Sequence, residues 1–262
     1  MHVVVLVKQV PDIEKVRFDF ETGRIDRSSA PAETNPFDLN ALEAAVQIKE
    51  ELGGTVTAIS MGPPQAESTL RDAIARGADR AILLTDTRMA GADTLATSYT
   101  LACAVKVLGG FDLVICGEKT VDGDTGQVGP EVAEFLGIPH VAYVSEIREV
   151  GRDRLVVVAD MGDKYLVEVR LPALITVTKD VNTPRLPTLR DRLRARKAEI
   201  EVWDADVLSK VCDPGRLGFE GSKAIVFRVV VPRREGGGCV FLEGEDAVKR
   251  LVDILEERGF LC

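Results

Sequence analysis

The residues from Phe111 to Pro130, F-D-L-V-I-C-G-E-K-T-V-D-G-D-T-G-Q-V-G-P, have the types and spacing to hold a phosphorylated ligand. Leu113, Val114, Ile115 and Cys116 form a short apolar run typical of a strand buried on both faces. Gly117 ends the run, and a polar loop rich in Gly, Asp and Thr follows. The spacing predicts a helix from near Thr125 to Gly137. Strand, glycine-rich loop and helix start together aim backbone N–H groups and the positive end of a helix dipole at an anion. The string is neither a P-loop nor G-x-G-x-x-G, so it carries no dinucleotide fingerprint. Asp122 and Asp124 would repel a pyrophosphate unless turned away or engaged with ribose hydroxyls. Pro130 lacks an N–H, which distorts the first turn or moves the helix start to Gly129. A turn in which Asp124 or Thr125 merely caps the helix fits the same residues.

The rest of the chain offers no nucleophile–base pair. His2 and His140 are the only histidines, and Cys103, Cys116, Cys212, Cys239 and Cys262 form no C-x-x-C, so no metal constellation is legible. His140, after Ile138-Pro139, reads as structural and Trp203 as packing. The formal charge of −9 argues against general nucleic-acid binding. No apolar run approaches the ~20 residues of a membrane span. Met1-His2 leads directly into an apolar strand, without the basic region and cleavage site of a signal. An odd cysteine count without a signal reads as a reducing cytoplasm. A chain of 262 residues can bury one substantial core, or one domain with an appended arm.

The elements that must position this loop alternate in type. Strands are predicted at Val3–Val7, Thr55–Ser60, Arg80–Leu84 and Asp112–Cys116. Between them fall helices from Asn35-Pro36 to Gly53, from Gln65 to Arg76, and from Asp93 to Leu108. Val16–Phe20 and Arg24–Asp26 read as a hairpin. Such alternation argues for an α/β fold, a doubly wound parallel sheet with ligands at the carboxyl ends of its strands. Lys8, ending the first strand, could there offset a phosphate charge. After Gly137, strands at Val141–Ile147, Leu155–Ala159 and Lys164–Arg170 suggest an antiparallel extension, and Pro172–Thr178 one more buried strand. Asn182, Thr183, Pro184 and Pro187 break the pattern and end the compact domain. The basic run Arg190–Lys197 fits a solvated helix face. A strand over Ala224–Val231, the Gly236–Gly238 loop and an amphipathic helix through Val248, Leu251, Val252 and Leu255 complete the tail. Residues 203–222 offer little core and would fold best against a partner.

Several separated motifs agree with one family in order: V-L-V-K-Q-V-P at 5–11, N-P-F-D at 35–38, S-M-G-P at 60–63 and G-A-D-R at 77–80. D-G-D-T-G-Q-V-G-P at 122–130 and R-L-P-T-L at 185–189 extend the match. The chain thereby resembles the beta subunit of electron-transfer flavoproteins along essentially its whole length. The resemblance implies a Rossmann-like, adenine-nucleotide-binding domain over 1–185. Residues 186–262 would form a partner-docking segment and a C-terminal arm wrapping an alpha subunit. It implies a pocket of Leu6, Lys8, Asn35, Pro36, Phe37, Asp38, Met61 and Gly62. Gly117, Thr120, Asp122, Gly123, Asp124, Thr125, Gly126, Gln127 and Val128 would complete it.

Two kinds of member differ at that pocket. Ordinary beta subunits hold AMP there; electron-bifurcating ones hold an FAD that takes hydride from NADH. That FAD passes electrons to the alpha-subunit FAD, and on to a partner dehydrogenase, quinone oxidoreductase or ferredoxin. The spacing Gly117-x-x-Thr120-x-Asp122-x-x-Thr125-x-x-Val128 looks like the bifurcating pattern, its small hydroxyl residues leaving room for the larger ligand. By the same resemblance Asp160 bridges to the alpha subunit's flavin domain and Leu189 anchors a partner dehydrogenase. Gly221-Ser-Lys-Ala224 departs from the Ser-Pro-Thr of relatives. A stand-alone ATP-binding module of the same sheet type is the competing expectation, without flavin and as a homodimer.

Overall fold

A computed structural model describes residues 1–12, 15, 17–19, 24–26, 30–225, 241–244 and 246–261. The chain opens with β1 (His2–Leu6), β2 (Gln9–Pro11), β3 (Arg17–Asp19), β4 (Arg24–Asp26) and β5 (Ala32–Thr34), followed by α1 (Pro36–Leu52). Next come β6 (Thr55–Met61), α2 (Glu67–Arg76), β7 (Arg80–Leu84), α3 (Thr94–Leu108), β8 (Leu113–Gly117) and α4 (Val128–Leu136). The second half holds β9 (His140–Val150), β10 (Arg154–Asp160), β11 (Lys164–Arg170), β12 (Ala173–Val177), α5 (Leu189–Lys197) and β13 (Glu201–Trp203). Short helices α6 (Ala205–Leu208) and α7 (Gly218–Gly221) precede α8 (Ala247–Glu257).

Nine strands form one sheet in the order β11-β10-β9-β12-β8-β1-β6-β7-β13. From β9 to β13 neighbours are parallel, while β10 and β11 run antiparallel at one end. The fold is thus the expected doubly wound sheet with an antiparallel extension. β1 lies between β6 and β8, so the winding direction reverses beside it, and a crevice opens at the strands' carboxyl ends. β3 and β4 form the expected hairpin.

Alternation along the central strands explains the two layers. Val3, Val5, Ala58 and Ile115 face α1 and α2, whereas Val4, Leu6, Ile59 and Val114 face α3 and α4. Strands so apolar on both sides are stable only when both faces are covered, which the crossovers achieve.

Three findings depart from the sequence reading. β13 joins the sheet beside β7 although its three residues carry no periodicity. Ala205, Leu208, Cys212 and Leu217 are buried in the α3 and α4 layer, so much of 203–222 is covered within this chain. Cys103 and Cys212 are joined, with Cα atoms 6.0 Å apart. The strand expected over Ala224–Val231 and the Gly236–Gly238 loop lie, beyond Ile225, outside the described residues. No described helix is long and apolar enough to cross a membrane, and no metal-holding cluster exists among the described residues.

Candidate functional site

A cavity of about 740 Å³ opens where the carboxyl ends of β1, β6, β7 and β8 meet the starts of α3 and α4. Leu6, Lys8, Asp38, Met61, Gly62 and Gly117 line it, with Thr120, Gly123 and the run Thr125–Val128. These are twelve of the residues expected from the sequence, drawn from loops after three strands.

The helix after β8 begins at Val128, not near Thr125. The cause is backbone geometry: Asp124 and Gly126 adopt φ of 51° and 63°, left-handed values that no helix entry can continue through. Among the described residues no hydrogen bond occupies the N–H groups of Thr125 to Val128. They are therefore available to an anion at the positive end of α4. Pro130 falls in the first turn, where no intrahelical donor is required, so it does not distort the helix. Gly137 closes α4 in the left-handed conformation, as expected.

Close approach explains two glycines. A Cβ at Gly117 would lie 2.6 Å from Asp38 Oδ1 and from Phe37 Cβ. One at Gly129 would meet Thr176 Cγ2 and lie 3.0 Å from Cys116 Sγ. α1 and α4 therefore pack onto the sheet's carboxyl edge more tightly than any side chain there would permit.

Asn35, Pro36, Phe37, Asp122 and Asp124 brace the cavity from behind instead of lining it. Asn35 occupies the cap position of α1 without capping it. Its amide donates to Lys119 O at 2.9 Å and its Oδ1 accepts from Val121 N at 3.1 Å, holding the loop after β8. Pro36 starts α1, and the Lys119 ammonium sits 5.8 Å from the Phe37 ring centroid. Asp124 pairs with Lys119 at 2.9 Å. Lys8 Nζ donates to both carboxylate oxygens of Asp122, at 2.8 and 2.9 Å. The two aspartates that threatened an anion are thus each neutralised by a lysine, and Lys8 meets the cavity with its charge already shared.

Asp38 is the electrostatic centre of the brace. Its oxygens accept from Lys8 N at 2.8 Å and Gly117 N at 3.1 Å, tying the ends of β1 and β8 to α1. Burial raises its pKa to about 7 against the opposing pull of Asn35, these N–H groups and Lys8. Burial also pushes the Cys116 thiol well above its ordinary range, so it is an inert wall. Glu118, at the rim, is raised by burial despite nearby Lys119.

The sequence reading missed the cavity's far wall. Asp86, Ala90, Gly91, Asp93, Thr94 and Thr97 line it, from the loop after β7 and the first turn of α3. A signal was present: β7 is the third parallel strand, its carboxyl end had to share the edge, and Asp93-Thr94 is a helix-start pair. Asp86 lies well below the carboxylate range because the Arg88 side chain and backbone donate to it.

Asp160 and Leu189 stand outside the cavity. Asp160 ends β10 in an exposed turn flanked by exposed Met161 and Tyr165. Leu189 is 75% exposed at the start of α5, with Leu186 and Leu193 also exposed. Thr188 and Asp191 form a reciprocal capping box there, and Arg71 Nη1 donates to Ala195 O at 2.7 Å from beneath. An apolar ridge is therefore presented from a fixed base. The basic run is a solvated face, as expected.

Residues 22–208 match the family described as "Electron transfer flavoprotein domain". The electron transfer flavoprotein subunit beta of Thermoanaerobacterium thermosaccharolyticum is 44% identical over 98% of this chain and 99% of its own length. Protein FixA of Azorhizobium caulinodans is 45% identical over 88% of this chain and 85% of its own. The caffeyl-CoA reductase-Etf complex subunit CarD of Acetobacterium woodii is 42% identical over 91% and 90%. With most of its length matched and near-full-length relatives above 40% identity, the chain belongs to the electron transfer flavoprotein family, as a beta subunit.

Proposed function

We propose that the chain pairs with an alpha subunit and holds an FAD in the cavity described above, as the electron-bifurcating kind of beta subunit does. The observation that carries this reading is the cavity's extent. It spans about 740 Å³ from the first turn of α4 to that of α3, within the roughly 300–1,000 Å³ typical of small-molecule sites. AMP, with fewer than half the atoms of FAD, would leave much of this volume unfilled. The free N–H groups of Thr125–Val128 fit a pyrophosphate, aided by the helix dipole at ~0.3–1 kcal/mol. Thr120 and Thr125 offer hydroxyls, and Met61 and Leu84 an apolar floor.

When bound, FAD would supply the hydride acceptor for NADH and the path onward to the alpha-subunit flavin. This chain's residues bind, orient and neutralise; no acid–base pair in the cavity is asked to do chemistry. Electrons would leave toward a partner dehydrogenase, quinone oxidoreductase or ferredoxin. The Acetobacterium woodii relative, by name part of a reductase complex, favours a stable partner of that kind for this chain too. Division at residue 185, with 186–262 docking partners, fits the exposed Leu186–Leu193 ridge and α8, whose Val248 and Leu251 are exposed. Asp160 would bridge to the mobile flavin domain. Such an exposed ion pair is worth ~0–1 kcal/mol, which suits a latch.

The test is the nucleotide content of the purified heterodimer and its bleaching by NADH. A second FAD beyond the alpha-bound one, reduced by NADH, supports the reading. AMP in that place, with no reduction by NADH, makes this an ordinary beta subunit; bound ATP in a homodimer overturns both.

A further inference from the structure

The loop after β7 is the cavity's far wall on one side and the seat of the C-terminal segment on the other. Phe219 N donates to Ala90 O at 2.9 Å, and a Cβ at Gly218 would collide with Arg88 O, so α7 lies directly on this loop. The junction closes at Asp93. Its Oδ1 accepts from Ala96 N at 2.9 Å, capping α3 at the cavity wall. Its Oδ2 accepts from Lys223 N at 2.7 Å and Ala224 N at 2.8 Å, and its own N–H donates to Ser222 Oγ at 2.9 Å. One carboxylate thus fixes both a cavity helix and the departure of the tail. Of the stretch Gly221–Ala224, it holds Ser222, Lys223 and Ala224.

We propose that Asp93 is a positioning residue that couples the seating of the C-terminal segment on the partner subunit to the filling of the cavity. Displacing Lys223 and Ala224 takes two donors from Oδ2, loosens the loop and frees the first turn of α3. A ligand pressed against Thr94 and Thr97 holds that turn, and with it the tail's exit direction. Burial pushes the Asp93 carboxyl up, yet its backbone donors outweigh burial and hold it below the ordinary range, as an anion committed to these bonds. Coupling of this kind is reciprocal: whatever the ligand does to subunit association, association does to ligand binding. The inference rests on the nucleotide reading above and on a partner subunit for the tail.

The experiment uses the heterodimer stripped of nucleotide at this cavity, with AMP as the probe because it is the fragment shared by both nucleotide readings. Subunit dissociation constants are measured by dilution with and without saturating AMP. In the wild type AMP tightens association at least about fivefold, the lower end of typical coupling. Asp93→Asn keeps the Oδ1 cap and turns an amide toward Lys223 and Ala224; the AMP effect falls below about twofold. Ser222→Ala, which removes the hydroxyl that accepts from Asp93 N and donates to Gly91 O at 3.4 Å, cuts the effect in the same direction and decides the matter if Asp93→Asn does not fold. An AMP effect of wild-type size in both variants overturns the proposal. So does unaltered association in a wild type that binds AMP, which leaves the nucleotide reading standing. Failure of both AMP and FAD to bind the wild type sinks that reading together with the coupling.

Discussion

Lys8, at the end of β1, and Asp122, in the loop after β8, grip each other behind the cavity, ammonium to both carboxylate oxygens at 2.8 and 2.9 Å. The pair is asymmetric: the Lys8 side chain is 45% exposed and that of Asp122 only 5%. Removing the lysine takes the ammonium away from a buried carboxylate, while removing the carboxylate returns a half-exposed lysine to water. Lys8→Met should therefore cost about 1–3 kcal/mol, and Asp122→Asn less. Urea unfolding of the two single variants and the double variant measures it. Equal costs for the two single changes would count against a buried carboxylate as the determining group.

Asp38 gives the fold a pH dependence of unusual sign for a carboxylate. Its pKa rises from 3.8 to about 7 on folding, so between those values the folded chain holds a proton that the unfolded chain has lost. The contribution of Asp38 is most favourable below its unfolded pKa, shrinks as pH rises toward 7, and is level above that. Asp38→Asn keeps an acceptor for one of the two N–H groups and cannot ionise. Its stability relative to wild type should improve as pH goes from 5 to 8, by an amount on the order of 1 kcal/mol or more. Denaturant midpoints at the two pH values check this. A difference that does not change with pH would mean that Asp38 ionises normally.

Legibility in the sequence followed the range of the interactions. β7 was read to the residue because Arg80–Leu84 is a local apolar run bounded by Asp79 and Thr85. Pro36 and Gly53 bounded α1 for the same reason. The start of α4 was misplaced because left-handed Asp124 and Gly126 look, in composition, like a capped turn. Asn35 stands before the proline that opens α1, where an Asn usually caps, whereas its side chain reaches residues more than 80 positions away. β13 and the union of Cys103 with Cys212 are likewise set by partners distant in sequence, which no local pattern encodes. Near-side cavity residues were named through family resemblance; the far wall, outside the motifs used, needed the sheet.

Packing at the glycines separates cavity effects from backbone effects. Gly117→Ala would drive a Cβ against Asp38 and Phe37, prying α1 from β8. Gly129→Ala would press on Thr176 and Cys116 and lift the first turn of α4. Each should cost about 1–3 kcal/mol and release the bound nucleotide. Gly137→Ala is the control: its φ of 69° is unfavourable for alanine, yet nothing lies within 4 Å. It should cost about 1–2 kcal/mol with nucleotide retained. Thermal unfolding and nucleotide content after gel filtration distinguish the three. Nucleotide loss in Gly137→Ala would show that any destabilisation suffices.

The exposed ridge of α5 should act on partners without touching the cavity. Leu189 is 75% exposed, on a helix whose start is pinned by Thr188 with Asp191 and whose end is held by Arg71. Arg185 ties the preceding segment to α1, its Nε donating to Glu43 at 2.7 Å and Nη1 to Glu50 at 2.6 Å. An apolar side chain so exposed on so fixed a base loses little order on docking, which is what an interface anchor requires. The surrounding arginines would steer an acidic surface and make the encounter rate fall with salt. Leu189→Ala should weaken partner binding by about 1–3 kcal/mol while nucleotide content and unfolding midpoint stay at wild-type values. Arg190→Ala or Arg192→Ala should instead slow association at low salt and matter little at high salt. Titration of each variant with the electron acceptor, at two ionic strengths, resolves the two contributions. Unchanged kinetics of Leu189→Ala with every acceptor tried would remove α5 from the docking surface.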